Sequence, residues 1–260
     1  MVFERLDLSI ENGVARLVLN RPEAANAIDL IFAKEFEAAA REIQVQHARV
    51  VVVSAQGRQF CVGGDLKSFA KQVDLGSYLE QVTAHLHEGI ATLMELDAPL
   101  VLAVNGAVAG AGLGLVCAAD LVIAGESSTY LMAYTRLGLS PDGSSSWFLA
   151  RHVGLHRALE LSLTNRVLSA REALEWGIVT RVVDDKKVLE ETESLVIQFA
   201  NGPTRAYGVT KRLMKSSTTN SLREQLAAEA ASISSLARTA DGAEGIAAFL
   251  EGRAVKFMGD

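Results

Sequence analysis

Only two cysteines, Cys61 and Cys117, occur in the 260 residues, and they show neither C-x-x-C spacing nor a metal-finger pattern. That excludes a disulfide framework, and both read as small apolar fillers. Runs of five or more Lys/Arg are absent and the formal charge is -6 at pH 7, so no surface is built to neutralise nucleic-acid phosphates. No stretch reaches the roughly 20 consecutive apolar residues of a membrane helix. The N-terminus Met-Val-Phe-Glu-Arg-Leu-Asp-Leu carries acids where a secretory signal would be apolar, so the expected location is cytoplasmic. Low-complexity segments and long linkers are lacking too.

What is present is ordinary globular material: 49% apolar and 22% charged residues, enough for one main domain with an appendage. Leu6, Leu8 and Ile10 alternate with polar residues, and Ala15, Leu17 and Leu19 do so after Asn12-Gly13, which predicts a hairpin. Residues 29–45 and 76–96 carry helical spacing, the second through Leu79, Val82, Leu86, Ile90, Leu93 and Met94. Val50 to Val53 and Leu100 to Val104 are short, β-rich runs suited to buried strands. Two further strands are expected at 121–124 and 129–132. Beyond them the chain turns mainly helical, with Leu222, Leu226 and Ala230 recurring every four residues in a helix over 220–238. Residues 1–200 are expected to form the core and 201–260 a C-terminal helical region.

Two glycine segments each follow a buried strand. Phe60-Cys61-Val62-Gly63-Gly64-Asp65-Leu66 places backbone N–H groups where a ligand can approach, although a tight turn alone would look the same. Asn105-Gly106-Ala107-Val108-Ala109-Gly110-Ala111-Gly112-Leu113-Gly114 opens a helix whose free N–H groups would face negative charge. Neither is G-x-G-x-x-G with a following acid, and no Gly-Lys-Ser/Thr occurs, so nucleotide binding fits less well than a paired oxyanion hole. Ser144-Ser145-Ser146 lacks a G-x-S-x-G frame, and His152 and His156 have no third ligand in view, so neither a serine nucleophile nor a metal site is expected. On the residues alone, Asp142 reads best as the N-cap of the following helix.

Taken together, F-x-x-G-x-D-L and N-G-x-x-x-G-x-G resemble the two oxyanion loops of the crotonase (enoyl-CoA hydratase/isomerase) superfamily. Asn12-Gly13-Val14-Ala15 through Asn26-Ala27, and Leu168-Ser169-Ala170 through Val179, resemble its first hairpin with CoA-contacting loop and its later helical signature. The resemblance covers nearly the whole chain. It implies an α/β fold, a crotonase-like spiral of repeated ββα units with a C-terminal helical oligomerisation region, and assembly as a homotrimer or hexamer. It implies a coenzyme A thioester as substrate, with no bound cofactor or metal. The N–H groups of Gly64 and Ala111 become the thioester-oxygen donors. Ala24, Ala25, Val62, Gly63, Asp65 and Leu66 would lie along the CoA, and Lys256 and Phe257 would reach the CoA of a neighbour.

Hydratases of this superfamily use two glutamates, at positions that correspond by spacing to Gly114 and Tyr134. Neither carboxylate is present. Gly110, Gly114 and Tyr134 would instead line the acyl pocket, the missing side chain at 114 leaving room for a ring. The segment around Asp142 resembles phenylacetate-pathway isomerases, where an aspartate moves protons, and 4-chlorobenzoyl-CoA dehalogenases, where it attacks the ring. His87 resembles the histidine of those dehalogenases. The catalytic candidates are therefore Asp142, Gly64, Ala111 and His87, and the leading expectation is an isomerase shifting a double bond through an enolate. Hydration by a single aspartate, dehalogenase-like substitution and a non-catalytic acyl-CoA-binding role stay open at this point.

Overall fold

The computed structural model describes residues 3–260. The predicted hairpin is present as β1 (Leu6–Glu11) and β2 (Val14–Leu19), paired antiparallel with Leu6 opposite Leu19. Helix α1 (Leu30–Val45) starts where the Asp29 carboxylate accepts the Phe32 N–H, and it buries Phe32, Phe36 and Ile43. Next come β3 (Val50–Ala55), a single turn α2 (Leu66–Phe69), α3 (Leu75–Glu95) and β4 (Leu100–Val104). The chain continues through β5 (Ala107–Ala109), α4 (Ala111–Ala118), β6 (Leu121–Gly125) and β7 (Thr129–Leu131).

A 3-10 turn at Tyr134–Leu137 leads to α5 (Ser145–Val153) and α6 (Leu155–Thr164). They are followed by β8 (Leu168–Ser169), α7 (Ala170–Glu175), β9 (Arg181–Val183) and α8 (Val188–Ala200). The remaining helices are α9 (Thr204–Ser216), α10 (Leu222–Leu236) and α11 (Ala240–Glu251).

The strands form two sheets, a six-stranded one in the order β1-β2-β3-β4-β6-β9 and a three-stranded one in the order β5-β7-β8. Of each successive strand pair, β4/β5 and β6/β7, the first member joins the large sheet and the second the small one. This alternation is the repeated ββα unit expected from the motifs. The unit containing β3 has no regular second strand, but Cys61 bridges Val108 in the parallel sense and takes the corresponding place beside the small sheet. Strands β3 and β4 are almost wholly buried because helices cover both faces, which is why they read as unbroken valine and leucine runs.

Three strands, β5, β8 and β9, escaped the sequence reading. They have three, two and three residues, too few for a periodicity, and exist only through their partners. Helix α10 runs as predicted, yet it buries no residue: Leu222 and Leu226 are exposed, so their spacing marks no face packed within the chain. Helix α9 is tied to the body where Lys211 Nζ reaches Asp120 at 2.7 Å and the carbonyl oxygens of Leu96 and Ala98 at 3.2 and 2.8 Å. Among the described residues no helix is long and apolar enough to cross a membrane.

Candidate active site

The two glycine segments meet main chain to main chain. Cys61 O accepts the Ala109 N–H at 2.9 Å, and Ala107 O accepts the Phe60 N–H at 3.2 Å. Gly63 has φ +83°, and a Cβ there would sit 2.9 Å from Ala109 O and 3.3 Å from Ala111 N, so only glycine allows this approach. On the first segment, Ile28 donates to Gly63 O and accepts from Asp65 N, a parallel bridge that leaves the intervening Gly64 N–H unused. On the second, Gly110 (φ +53°, ψ -126°) opens α4 without a side-chain cap, which leaves the Ala111 N–H without an intrahelical acceptor. Neither amide has an acceptor among the described residues, and both Gly64 and Ala111 line one cavity of about 390 Å³.

That cavity is walled mainly by apolar side chains, including Phe69, Val82, Leu86 and Leu139. Asp142 is its single carboxylate and Arg136 its single cation among the described residues. Gly110, Val62, Leu66 and Tyr134, all expected at the ligand, line it as well. Two free N–H groups and one carboxylate in an apolar, concave site are the groups that removal of a proton next to a carbonyl calls for, donors for a developing oxyanion and a base for the proton.

Asp142 is held by its main chain, so its carboxylate is not needed to fix the turn. Its carbonyl oxygen accepts from Ser145 N at 3.2 Å, Ser145 Oγ at 2.6 Å and Tyr134 Oη at 3.0 Å. The carboxylate does not cap α5, which corrects the helix-capping expectation. The N-cap is Ser144, in left-handed geometry (φ +65°) with no side-chain cap, and Asp142 Oδ1 lies 2.6 Å from His87 Nε2 on α3. Tyr134 thus both lines the cavity and steadies Asp142. Burial, then the nearby Asp142 charge, push its phenol well above its ordinary pKa, so it remains a neutral donor.

The expectation of extra room at Gly114 is also corrected. Gly114 is not in the cavity wall; a Cβ on it would collide with the Gly143 carbonyl oxygen and lie 2.9 Å from the carbonyl carbon. Gly143 (φ +60°) packs in turn against Ala111, where an added Cβ would be 3.0 Å from the alanine methyl. The missing side chain at 114 is filled by the turn that carries Asp142.

Asp65 serves the loop, not the cavity. It caps α2 through Lys67 N and Ser68 N and binds Arg21 Nη1 at 2.8 Å. Burial opposes its ionisation, but the Ser68 hydroxyl and amide and the Arg21 guanidinium outweigh that and hold its carboxyl below the usual range. Ala24 and Ala25 lie beside this loop, with Val62 N donating to Ala25 O at 3.3 Å, yet neither lines the cavity. The fully buried Asn26 side chain joins the two loops, accepting from Arg21 N and donating to Gln56 O and Gln59 O.

Lys256 and Phe257 are remote from the cavity within this chain: the Lys256 N–H donates to Glu244, and Phe257 O accepts from Arg49 at 3.1 Å. His152 Nε2 donates to Cys117 O at 2.7 Å, and no group of three His/Cys/Asp/Glu that could hold a metal occurs among the described residues. Sequence reasoning missed Arg136, for which the chain carries no local signal. It assigned Leu79, Val82 and Leu86 to a helix face without seeing that this face walls the cavity.

With this geometry in view, comparison with known proteins decides the family. Residues 9–260 match the model of the enoyl-CoA hydratase/isomerase family. The chain belongs to that family. It is 36% identical over 256 residues to the 1,2-epoxyphenylacetyl-CoA isomerase of Escherichia coli, covering 96% of this chain and 97% of that one. It is 35% identical over 260 residues to a Rhodobacter capsulatus protein named "Probable enoyl-CoA hydratase", covering 100% of both. The crystal structure of an enoyl-CoA hydratase from Polaromonas sp. JS666 superposes with a TM-score of 0.91 at 31% identity, over 97% of this chain and 99% of that one. The crotonase-type α/β fold and the superfamily read from the two glycine loops are thereby established, and relatives bearing hydratase and isomerase names are similarly near to this member of the enoyl-CoA hydratase/isomerase family.

Proposed function

We propose that this family member is an acyl-CoA isomerase, moving a double bond through a thioester enolate whose oxygen rests on the N–H groups of Gly64 and Ala111. The observation that carries the reading is the single carboxylate of the cavity wall, Asp142, in a cavity that also presents both free amides. With glycine at 114 and a neutral tyrosine at 134, a second acid to activate water for hydration is lacking. One carboxylate suffices for isomerisation: Asp142 takes a proton from one carbon and returns it two carbons away. A histidine 2.6 Å from the carboxylate supports proton movement at Asp142 over attack of that carboxylate on a ring.

The apolar wall of about 390 Å³ suits an unsaturated acyl group, ring-bearing or branched. The exposed Leu222, Leu226, Ile233, Phe249 and Leu250 on α10 and α11 support assembly as a trimer or hexamer. In that assembly Lys256 and Phe257 would lie near a neighbour's CoA.

The test is mass-spectrometric detection of α-proton exchange and double-bond migration in deuterated water with 2-enoyl, 3-enoyl and cyclic acyl-CoA thioesters. Both should occur, and Asp142→Asn should lower both by a factor of about 10² to 10⁴, the range ascribed to a general base. Hydration product, or halide release from an aroyl-CoA, would replace this reading with the corresponding reaction. Tight thioester binding without exchange would leave a binding-only protein.

A further inference from the structure

A second groove, of about 450 Å³, is lined by His87, Ile90, Met94 and Glu95 of α3 and by Ser144 and Trp147 at the start of α5. It shares no lining residue with the acyl cavity. A side-chain hydrogen bond spans the two, His87 Nε2 in the groove wall lying 2.6 Å from Asp142 Oδ1 in the cavity wall. The His87 side chain is 49% exposed against 30% for Asp142, so the imidazole is the more open of the pair. The wall beside it also holds the buried Ser144 hydroxyl, which has no hydrogen-bond partner among the described residues. A histidine needed only to orient an aspartate could be buried; this one stands in a groove of its own.

We propose that His87 is a proton port, connecting the Asp142 carboxyl to solvent in the second groove while the acyl cavity is closed by its ligand. After Asp142 has taken a proton from the substrate, the carboxyl O–H passes it to Nε2 of the neutral ring, giving a carboxylate and an imidazolium. The half-exposed imidazolium turns out of this hydrogen bond into the groove, where its Nε2 proton exchanges one for one with solvent, and the ring then swings back. Return of a solvent proton along the same bond restores the carboxyl group, which then delivers it to the enolate. No other reactant is consumed, and His87 touches no substrate atom.

The inference rests on the isomerase reading, and its test separates the two. In deuterated water, the rate of α-proton exchange on a saturated acyl-CoA, which cannot isomerise, is divided by the rate of isomerisation of the matching 3-enoyl-CoA. This ratio is compared among the unmodified protein, His87→Phe and His87→Gln. A port predicts that the ratio falls about tenfold or more in both variants, because exchange loses its route while direct transfer by Asp142 does not. Label carried intramolecularly from a deuterated 3-enoyl-CoA in ordinary water should rise in step.

An unchanged ratio in both variants overturns the port and leaves the isomerase standing. A ratio restored by His87→Gln, which keeps a donor to Asp142 but cannot carry a proton, overturns it in favour of positioning. So does a folded His87→Gln protein that has lost isomerisation as fully as exchange. If the unmodified protein neither exchanges nor isomerises, the isomerase reading falls and the port with it.

Discussion

A methyl group at position 114 is the sharpest test of how Asp142 is placed. In Gly114→Ala the new Cβ would overlap the Gly143 carbonyl oxygen, lie 2.9 Å from its carbon and 3.4 Å from Ser145 N. All three are backbone atoms, so no side chain can swing aside. Relief requires the 142–145 turn or α4 to move by roughly 1 Å, and α4 is buried along its whole length. Overpacking of this kind costs about 1–3 kcal/mol, which for a chain of this size lowers Tm by about 2–12 °C. Activity should suffer more than stability. The turn that moves carries the carboxylate, and a misplacement near 1 Å in a catalytic group costs about 10²-fold in rate.

Thermal and denaturant unfolding measure the first effect, and kcat on the best thioester the second. The substitution Gly114→Glu, which supplies the acid that two-glutamate hydratases carry there, should destabilise further and confer no hydration. A Gly114→Ala protein with unchanged Tm and kcat would refute the reasoning, since the space would then be open as the sequence alone suggested.

Three further outcomes follow from single contacts. Cys61 and Cys117 are fully buried, and burial pushes both thiols up to about 12; neither should react with an alkylating reagent in the native protein, and both should label once it is unfolded. Asp65 has a depressed folded pKa, so its stabilisation is present above the unfolded carboxylate value of about 3.9 and is lost as pH falls through the lower folded value. Asp65→Asn should therefore cost about 1–3 kcal/mol near neutrality and flatten the acid limb of a stability-versus-pH curve, read by urea unfolding at each pH. Arg49 holds Gly202 O at 2.7 Å, Phe257 O at 3.1 Å and Thr204 Oγ1 at 3.3 Å; Arg49→Met should raise tryptic cleavage at Arg253 or Lys256 roughly tenfold, with the core melting little changed.

The parts of the fold written in local periodicity were legible. The hairpin, α1 and α3 emerge within a residue or two because each buries one face of a regular element, and β3 and β4 because burial on both faces makes them short apolar runs. The two amides without acceptors were legible because free N–H groups at glycine turns are a backbone property. What failed depended on segments far apart in the chain. Asp142 looked like a cap because Asp before a helix usually is one; the partner that claims its carboxylate lies 55 residues away. Gly114 looked like empty space because nothing local shows that the chain returns there at residue 143. Arg136 and the cavity-lining role of α3 arise only when three elements close round one volume.

The two halves of the site are built to different standards of permanence. The loops that carry the two free amides are knitted from three segments through Cys61, Ile28 and the Asn26 side chain. The carboxylate wall is one continuous stretch, Tyr134 to Asp142, held at one end by the Asp142 carbonyl and at the other by Thr135 and Arg136, which donate to Ser162 O and Asn165 O. A substitution within these nine consecutive residues therefore alters the carboxylate wall while leaving the hydrogen bonds that join the two glycine loops in place.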